Sequence, residues 1–292
     1  MSLGIDLTGQ RVCAVCGDHR LRRFGSSRGF PLVRCAACRF FFVDGVGVDP
    51  ATFYDDDYFC SSKGYEEYSV LSSIKLATFR RRIAALRPFV GDGVRALDIG
   101  CATGEFTAAA RVAGWRAFGL DISSVVVAAA QQRHGPWFLR AQGPSLPFRS
   151  GTFDMVAMFD VIEHMPVPQY AVVEAARLLR PGGVLVVETP NTAGLSARLM
   201  RHHWPLLRPP EHLSYFDARN LTILLERCGF DYLARWSGTK VVTLEYLVGK
   251  LRSTNHALGA LGARICRVSD AIARAPFLMP VGSFVLVARH AR

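Results

Sequence analysis

The chain of 292 residues is half hydrophobic and one-fifth charged, which excludes a disordered or fibrous protein and predicts a substantial buried core. Its length exceeds that of one typical domain, so a large domain with a small companion is expected. The formal charge of +11 is spread along the chain, with seven Arg against two Asp in the first forty residues; it suits a solvated surface, or attraction to RNA, an anionic membrane or an acidic substrate.

The opening stretch "MSLGIDLTGQRV" has no basic segment feeding an apolar one, so no signal peptide is read. No run of 18 apolar residues is present to cross a membrane, and the cytoplasm is the expected compartment. Next come Cys13-x2-Cys16 and Cys35-x2-Cys38, separated by eighteen residues. Each pair lets one short turn present two thiolates to a single ion, and two such turns complete a tetrahedron, so the spacing predicts a structural Zn2+ ribbon. Gly17 follows the first pair, where such a turn often needs a left-handed residue. Disulfides lack the support of an export signal, and neither pair sits in the βαβ pattern of a redox motif. An all-Cys site leaves no open position, so the metal is expected to do no chemistry. Cys60, Cys101, Cys228 and Cys266 are scattered and read as ordinary thiols.

"RFFFVD" then reads as a short buried strand and "DPATFYDDDYF" as a polar, aromatic connector. Leu71, Ile74, Phe79, Ile83 and Leu86 recur at roughly helical spacing and predict a helix over 66–87, ended by Pro88, Gly91 and Gly93. From Val94 the pattern alternates. Strands are predicted at 94–99, 116–120, 137–140, 154–159, 182–188, 230–236 and 284–289, and helices at 105–113, 123–133, 168–179 and 217–228. This is an α/β chain with a seven-stranded, mostly parallel sheet. The expected division is a ribbon over 1–45, a connector and helical lid over 46–93, and a core over 94–292 with a helical insert at about 240–282.

In "LDIGCATG", Gly100 and Gly104 permit a tight turn and close approach of backbone to a ligand, beyond the carboxyl end of a strand. A dinucleotide pyrophosphate would favour G-x-G-x-x-G; here the spacing is Gly-x-x-x-Gly behind Asp98. Asp121 ends the second strand, placed to accept hydrogen bonds from both hydroxyls of a ribose. "QGPSLPFRSGTFDMVAMFDVIEHM" and "LLRPGGVLVVETPN" follow in order.

Over about residues 70–240 these four motifs resemble the class I S-adenosylmethionine-dependent methyltransferases, whose fold is a Rossmann-like sheet. The resemblance implies S-adenosylmethionine as cofactor, with Asp98 and Gly100 at its methionine end and Asp121 at its ribose. Cys101 and Gly104 of the same turn, and Ile122 beside Asp121, complete that side. Gln142 stands where relatives often carry an Asp for the adenine amino group. Phe159 and Asp160 would face the sulfonium and the transferred methyl. Ala102 replaces a common middle Gly and asks for a slightly wider turn. Structural readings stand beside these: Asp121 could cap the helix over 123–133, and Gln142 could be a loop residue.

Methyl transfer is an in-line displacement needing position, a dry pocket and, for a protonated nucleophile, a base. His164 in "DVIEHMP" and His212 in "RPPEHLSYF" are the candidates, and either Glu-His pair could instead anchor a loop or cap a helix. Asp160-x-x-Glu163-His164 also resembles a divalent-metal trio of ubiquinone-biosynthesis O-methyltransferases, with Asp where those carry Glu. Trp204, Tyr215 and Phe216 suit a cover over substrate, and Tyr54, Tyr58 and Tyr65 a closure on the cofactor side or ordinary packing. In the insert, Leu258, Leu261, Ile265, Val268 and Ile272 share a helical face with Arg264, Arg267 and Arg274 elsewhere, suiting a core, a dimer or a membrane surface. The expected function is methylation of a small-molecule acceptor, on oxygen first, such as a secondary metabolite, quinone-like compound or sugar. The alternative is an rRNA guanine-N methyltransferase whose ribbon binds RNA; "DVIEHMP" lacks the Asn/Asp-Pro-Pro-aromatic signature of base-amino methylation.

Overall fold

The computed structural model describes residues 11–45, 72–143, 145–254 and 270–291. Three short strands lead: β1 (Leu21–Ser27), β2 (Phe30–Cys35) and β3 (Phe41–Val43). The helix α1 (Ser72–Val90) follows, and then the alternating core: β4 (Arg95–Ile99), α2 (Glu105–Val112), β5 (Arg116–Asp121), α3 (Ser124–His134), β6 (Phe138–Arg140) and β7 (Phe153–Phe159). A single 3-10 turn (Ile162–His164) leads to α4 (Pro168–Leu178), β8 (Leu179–Pro190) and α5 (Leu195–Met200). The last elements are β9 (Ser214–Tyr215), α6 (Ala218–Arg227), β10 (Phe230–Val242), α7 (Leu244–Thr254), α8 (Asp270–Arg274) and β11 (Phe277–His290).

All seven strands expected of the core are present, in one sheet of order β10-β11-β8-β7-β4-β5-β6. The neighbours from β8 to β6 run parallel; β11 is antiparallel to both β8 and β10, so the sheet is mixed. Val184, Leu185, Val186 and Val187 are all essentially sealed from solvent. A continuous apolar run of this kind is what a parallel strand covered on both faces requires, each side chain contributing about 1.5–3 kcal/mol. β8, β10 and β11 extend beyond their predicted spans, the β10–β11 pairing reaching as far as Val242 with Phe277.

Pro88 does not stop α1, contrary to the sequence expectation. It lies in the last turn, where its missing N–H costs one bond only, and the helix ends at Gly91, left-handed at φ 79°, whose N–H donates to the Arg87 carbonyl at 2.9 Å. The aromatic cover over substrate is likewise corrected for two of its members. Tyr215 stacks on Phe41 with centroids 4.6 Å apart, and Phe216 packs on Phe40 at 5.0 Å. Both are fully buried, because β9 adds a fourth strand to the N-terminal sheet, in the order β1-β2-β3-β9. One apolar cluster runs from Val15, Phe40 and Phe42 through Leu224 to Leu97 in the centre of the large sheet. Tyr54, Tyr58, Tyr65, Cys60 and Leu71, and Leu258, Leu261, Arg264, Ile265, Cys266, Arg267 and Val268 of the insert, lie outside the described residues, as does the side chain of Ile272.

α1 is tied to the sheet by a buried ion pair between Arg82 and Glu188, the latter on β8. Ser283 of β11 donates to the same carboxylate at 2.7 Å, and the guanidinium lies 5.2 Å from the ring centroids of both Phe79 and Phe159. Removing one partner of such a pair strands a charge in a place without water. Arg82→Leu should lower stability in urea unfolding by about 3 kcal/mol. The double variant Arg82→Leu/Glu188→Leu should recover most of that loss, and a double variant as unstable as the single would show that packing, not the stranded charge, sets the effect.

Candidate functional site

The carboxyl ends of β4, β5 and β7 meet near the middle of the sheet, where a doubly wound fold opens its crevice. The turn after β4 passes through three left-handed residues: Gly100 (φ 72°), Ala102 (φ 45°) and Gly104 (φ 86°). A Cβ on Gly100 would come within 2.4 Å of Val161, and one on Gly104 within 2.5 Å of Phe138, so neither position tolerates a side chain. Ala102 bears a strain of roughly 1 kcal/mol rather than the merely wider turn expected.

The turn is pinned by Asp121. One carboxylate oxygen accepts from the Ala102 N–H at 2.9 Å, the other from the Ser123 N–H at 3.0 Å, and the Cys101 N–H donates to the Leu120 carbonyl at 2.8 Å. Ser123 is the N-cap of α3 and makes no side-chain cap bond, so Asp121 joins the start of that helix to the glycine turn. Asp98 is buried and accepts from the Thr107 hydroxyl at 3.3 Å. Burial holds its carboxyl well above the usual range, with Asp121 and Glu105 nearby adding to the shift. Burial also raises Asp121. Ile122 is half-buried beside it, and its carbonyl accepts from Arg140 at 3.0 Å. Gln142 is exposed on the rim near the end of β6. Phe159 packs against Phe106 at 4.8 Å, and Asp160, exposed and left-handed at φ 55°, follows it.

The structure brings together three residues that the sequence separates. His164 and His212 face one another edge to face, ring centroids 4.8 Å apart, and Glu163 joins them. One ligating atom from each lies within 4.8 Å of the others, so among the described residues this trio, rather than one including Asp160, is the grouping beside the crevice that could hold a cation. Nδ1 of His164 lies 2.8 Å from the Glu211 carbonyl, and Nδ1 of His212 2.8 Å from that of Leu206. A carbonyl only accepts, so in each neutral ring Nδ1 carries the hydrogen and Nε2 the lone pair. Burial lowers His164, and burial together with His164 drives His212 down to about 3. Burial and then Asp160 hold Glu163 well above the carboxylate range, where it accepts from Thr189 at 2.9 Å. The repeated Glu-His dipeptide was the available signal, but local pattern cannot reveal contact across 48 positions.

The four cysteines of the N-terminal sheet also converge. A tetrahedron of thiolates around zinc has edges of roughly 3.8 Å. The Cys13–Cys38 and Cys16–Cys35 sulfurs are each 3.6 Å apart, and all four lie within 4.8 Å of one another. The two turns match: Gly17 and Arg39 are left-handed at φ 75° and 66°, and their N–H groups donate to the carbonyls of Cys13 and Cys35. Contact with Cys38 draws the Cys13 thiol down to about 6, while burial pushes Cys16 up to about 11. The donor set, spacing and paired turns fit one structural zinc ion.

Residues 74–235 match the family described as Methyltransferase domain. A probable S-adenosylmethionine-dependent methyltransferase of Mycolicibacterium smegmatis is 35% identical over 136 residues, covering 46% of this chain and 51% of that protein. The chain thus spans about half the length of that relative. The ubiquinone biosynthesis O-methyltransferase of Caulobacter vibrioides is 28% identical over 196 residues, 59% of this chain and 77% of that one. Among solved structures, the [4+2]-cyclase SpnF is similar with a TM-score of 0.50 and 25% identity, over 73% of this chain and 80% of its own. Strand order, glycine turn and matches together describe the class I methyltransferase fold.

The buried histidine pair makes stability depend on pH. The folded pKa of His212, about 3, lies below its ordinary 6.5, so between those values the unfolded chain binds more protons. Stability should be level above that upper value and fall as the pH drops through the window, by at most about 1.4 kcal/mol per pH unit. Urea titrations should show a shallower fall for His212→Asn; an unchanged slope would assign the acid sensitivity to other groups.

Proposed function

This chain belongs to the methyltransferase-domain family, and from that premise we propose that it moves the methyl group of S-adenosylmethionine onto a small-molecule acceptor, with a hydroxyl oxygen the favoured target. The observation that carries the proposal is the pinned turn: two glycines that admit no Cβ, a buried Asp98 behind them, and an Asp121 carboxylate holding the backbone in place. When bound, S-adenosylmethionine supplies a methyl on positively charged sulfur, already activated for displacement. Asp121 has acceptor capacity beyond its two backbone partners and would take the ribose hydroxyls. Asp98, through the ordered turn, would receive the amino-acid end. Phe159, wedged among Phe79, Phe106 and Arg82, would wall the methyl from water.

His164 is the better base of the facing pair. Charging His212 at neutral pH would cost about 5 kcal/mol, given a pKa near 3. His164 is less enclosed and has Asp160 nearby to favour its charged form. In this arrangement Nε2 of His164 receives the acceptor proton, and His212 lines the site as a neutral, oriented ring. Oxygen as target is supported by relatives named for O-methylation in ubiquinone biosynthesis and of malonyl-[acyl-carrier protein]. The zinc ion, held by Cys13, Cys16, Cys35 and Cys38, would serve the fold alone.

Two measurements test the assignment. Asp121→Ala should weaken S-adenosylmethionine binding at least tenfold by calorimetry while circular dichroism stays unchanged, roughly the value of one or two charge-assisted hydrogen bonds; undiminished affinity removes the ribose role. Cys35→Ser should release about one zinc per chain, read by elemental analysis, and lower the melting temperature. A full metal complement in that variant would reject the four-cysteine site.

A further inference from the structure

The hairpin between β1 and β2 turns at Arg28 and Gly29, both left-handed, at φ 49° and 83°. Two successive left-handed residues form the turn that matches strand twist, and Asn-Gly is its usual sequence. A long side chain at the first position costs roughly 1 kcal/mol, so local rules would place Asn or Gly where this chain carries a guanidinium. Arg201, the first residue of the turn Arg201–His203, is likewise left-handed at φ 48°. Between these two strained turns lies a cavity of about 390 Å³, lined among others by Ser26, Ser27, Arg28, His202, His203 and Trp204. Among the described residues no carboxylate lines it. The imidazoles of His202 and His203 stand 4.1 Å apart, both exposed.

The geometry points to a phosphoryl-binding subsite: Arg28, the two histidines and the two serine hydroxyls hold the phosphate or diphosphate ester of the methyl acceptor. A guanidinium, two imidazoles and two hydroxyls line this one cavity with no acid among its described lining, which is the chemistry a multiply charged tetrahedral anion selects. The cavity is within the size range of small-ligand sites. It is coupled to the proposed base site by the chain itself: Trp204 forms its wall, and two residues on, the Leu206 carbonyl orients His212. The Arg28 charge also reaches His212 and Tyr215, weighing on both. This inference rests on the small-molecule methyltransferase proposal for its meaning as an acceptor site, though not for the anion binding itself.

The test is calorimetric titration of the full chain with inorganic pyrophosphate, followed by S-adenosylmethionine in the same samples. Arg28→Asn suits the turn better than the native residue, so it should fold at least as well; it should weaken pyrophosphate about tenfold and leave S-adenosylmethionine affinity unchanged. His202→Gln/His203→Gln should weaken pyrophosphate similarly. Absence of pyrophosphate binding at millimolar concentration, or equal affinity in Arg28→Asn, overturns the subsite. An oligouridylate that binds more tightly than pyrophosphate and loses as much affinity in Arg22→Gln/Arg23→Gln as in Arg28→Asn also overturns it, assigning Arg28 to an RNA surface that includes exposed Phe24. Pyrophosphate binding that responds to Arg28 in a chain that binds no S-adenosylmethionine keeps the anion site and removes the methyl-transfer proposal instead.

Discussion

Ser214–Tyr215 is a strand of only two residues, yet the N-terminal sheet, the loop after β7 and the histidine pair all depend on it. Its Ser214 hydroxyl donates to the Met165 carbonyl at 3.1 Å, and the preceding Leu213 N–H donates to the Glu163 carbonyl at 2.8 Å. On its other side the Leu213 carbonyl accepts from Val43 at 2.9 Å, and Tyr215 stacks on Phe41. The loop bearing His164 and the segment bearing His212 are thereby held against one another through a strand that belongs to the cysteine-bearing sheet. Cys35 ends β2 and Cys38 precedes β3 by three residues, so a metal held by the four cysteines would brace the surface on which β9 rests. A zinc ion with no open coordination position would act there through the fold, by keeping one of two facing imidazoles in register.

Much of the core was legible because its signals are local. Strands buried on both faces must be continuous apolar runs, and "VLVVET" could be little else between Gly183 and Pro190. The helix predicted over 217–228 was equally readable, and the structure adds a capping box at its start in which Asp217 and Asn220 each receive the other's N–H. The aromatic residues of "EHLSYF" were not, since whether Tyr215 and Phe216 face a ligand or a neighbouring sheet is decided by a partner more than 170 positions away. Pro88 misled because a proline in the final turn forfeits one hydrogen bond, while the same residue mid-helix would forfeit the helix. The contact between the two Glu-His segments is a property of β7, β9 and the loop between β8 and α6 together, and no periodicity encodes it.

Fold alone does not fix the reaction, as the similarity to a cyclase makes plain. Charge separates the candidates better. A Gly-rich turn at a helix N-terminus ordinarily welcomes a pyrophosphate, through its N–H groups and the positive end of the helix dipole. Here that end is occupied by acid: Glu105 opens α2, buried and bonded to the Thr103 hydroxyl at 2.8 Å, and Asp98 lies beneath the turn. Asp121 takes the Ala102 N–H that a phosphate would need. A dinucleotide would meet three carboxyl groups where it must place two negative phosphates.

The same acids suit a cation. Burial raises the Asp98 carboxyl well above its ordinary range, and Asp121 and Glu105 nearby add to the shift. A ligand carrying an ammonium and a sulfonium would offset the mutual repulsion among these carboxyl groups. Binding energy of this kind is differential by construction: it is available to a positively charged donor and denied to an anionic nucleotide in the same crevice. The glycines open the space, but the preference for a cation comes from the carboxyl groups packed around them.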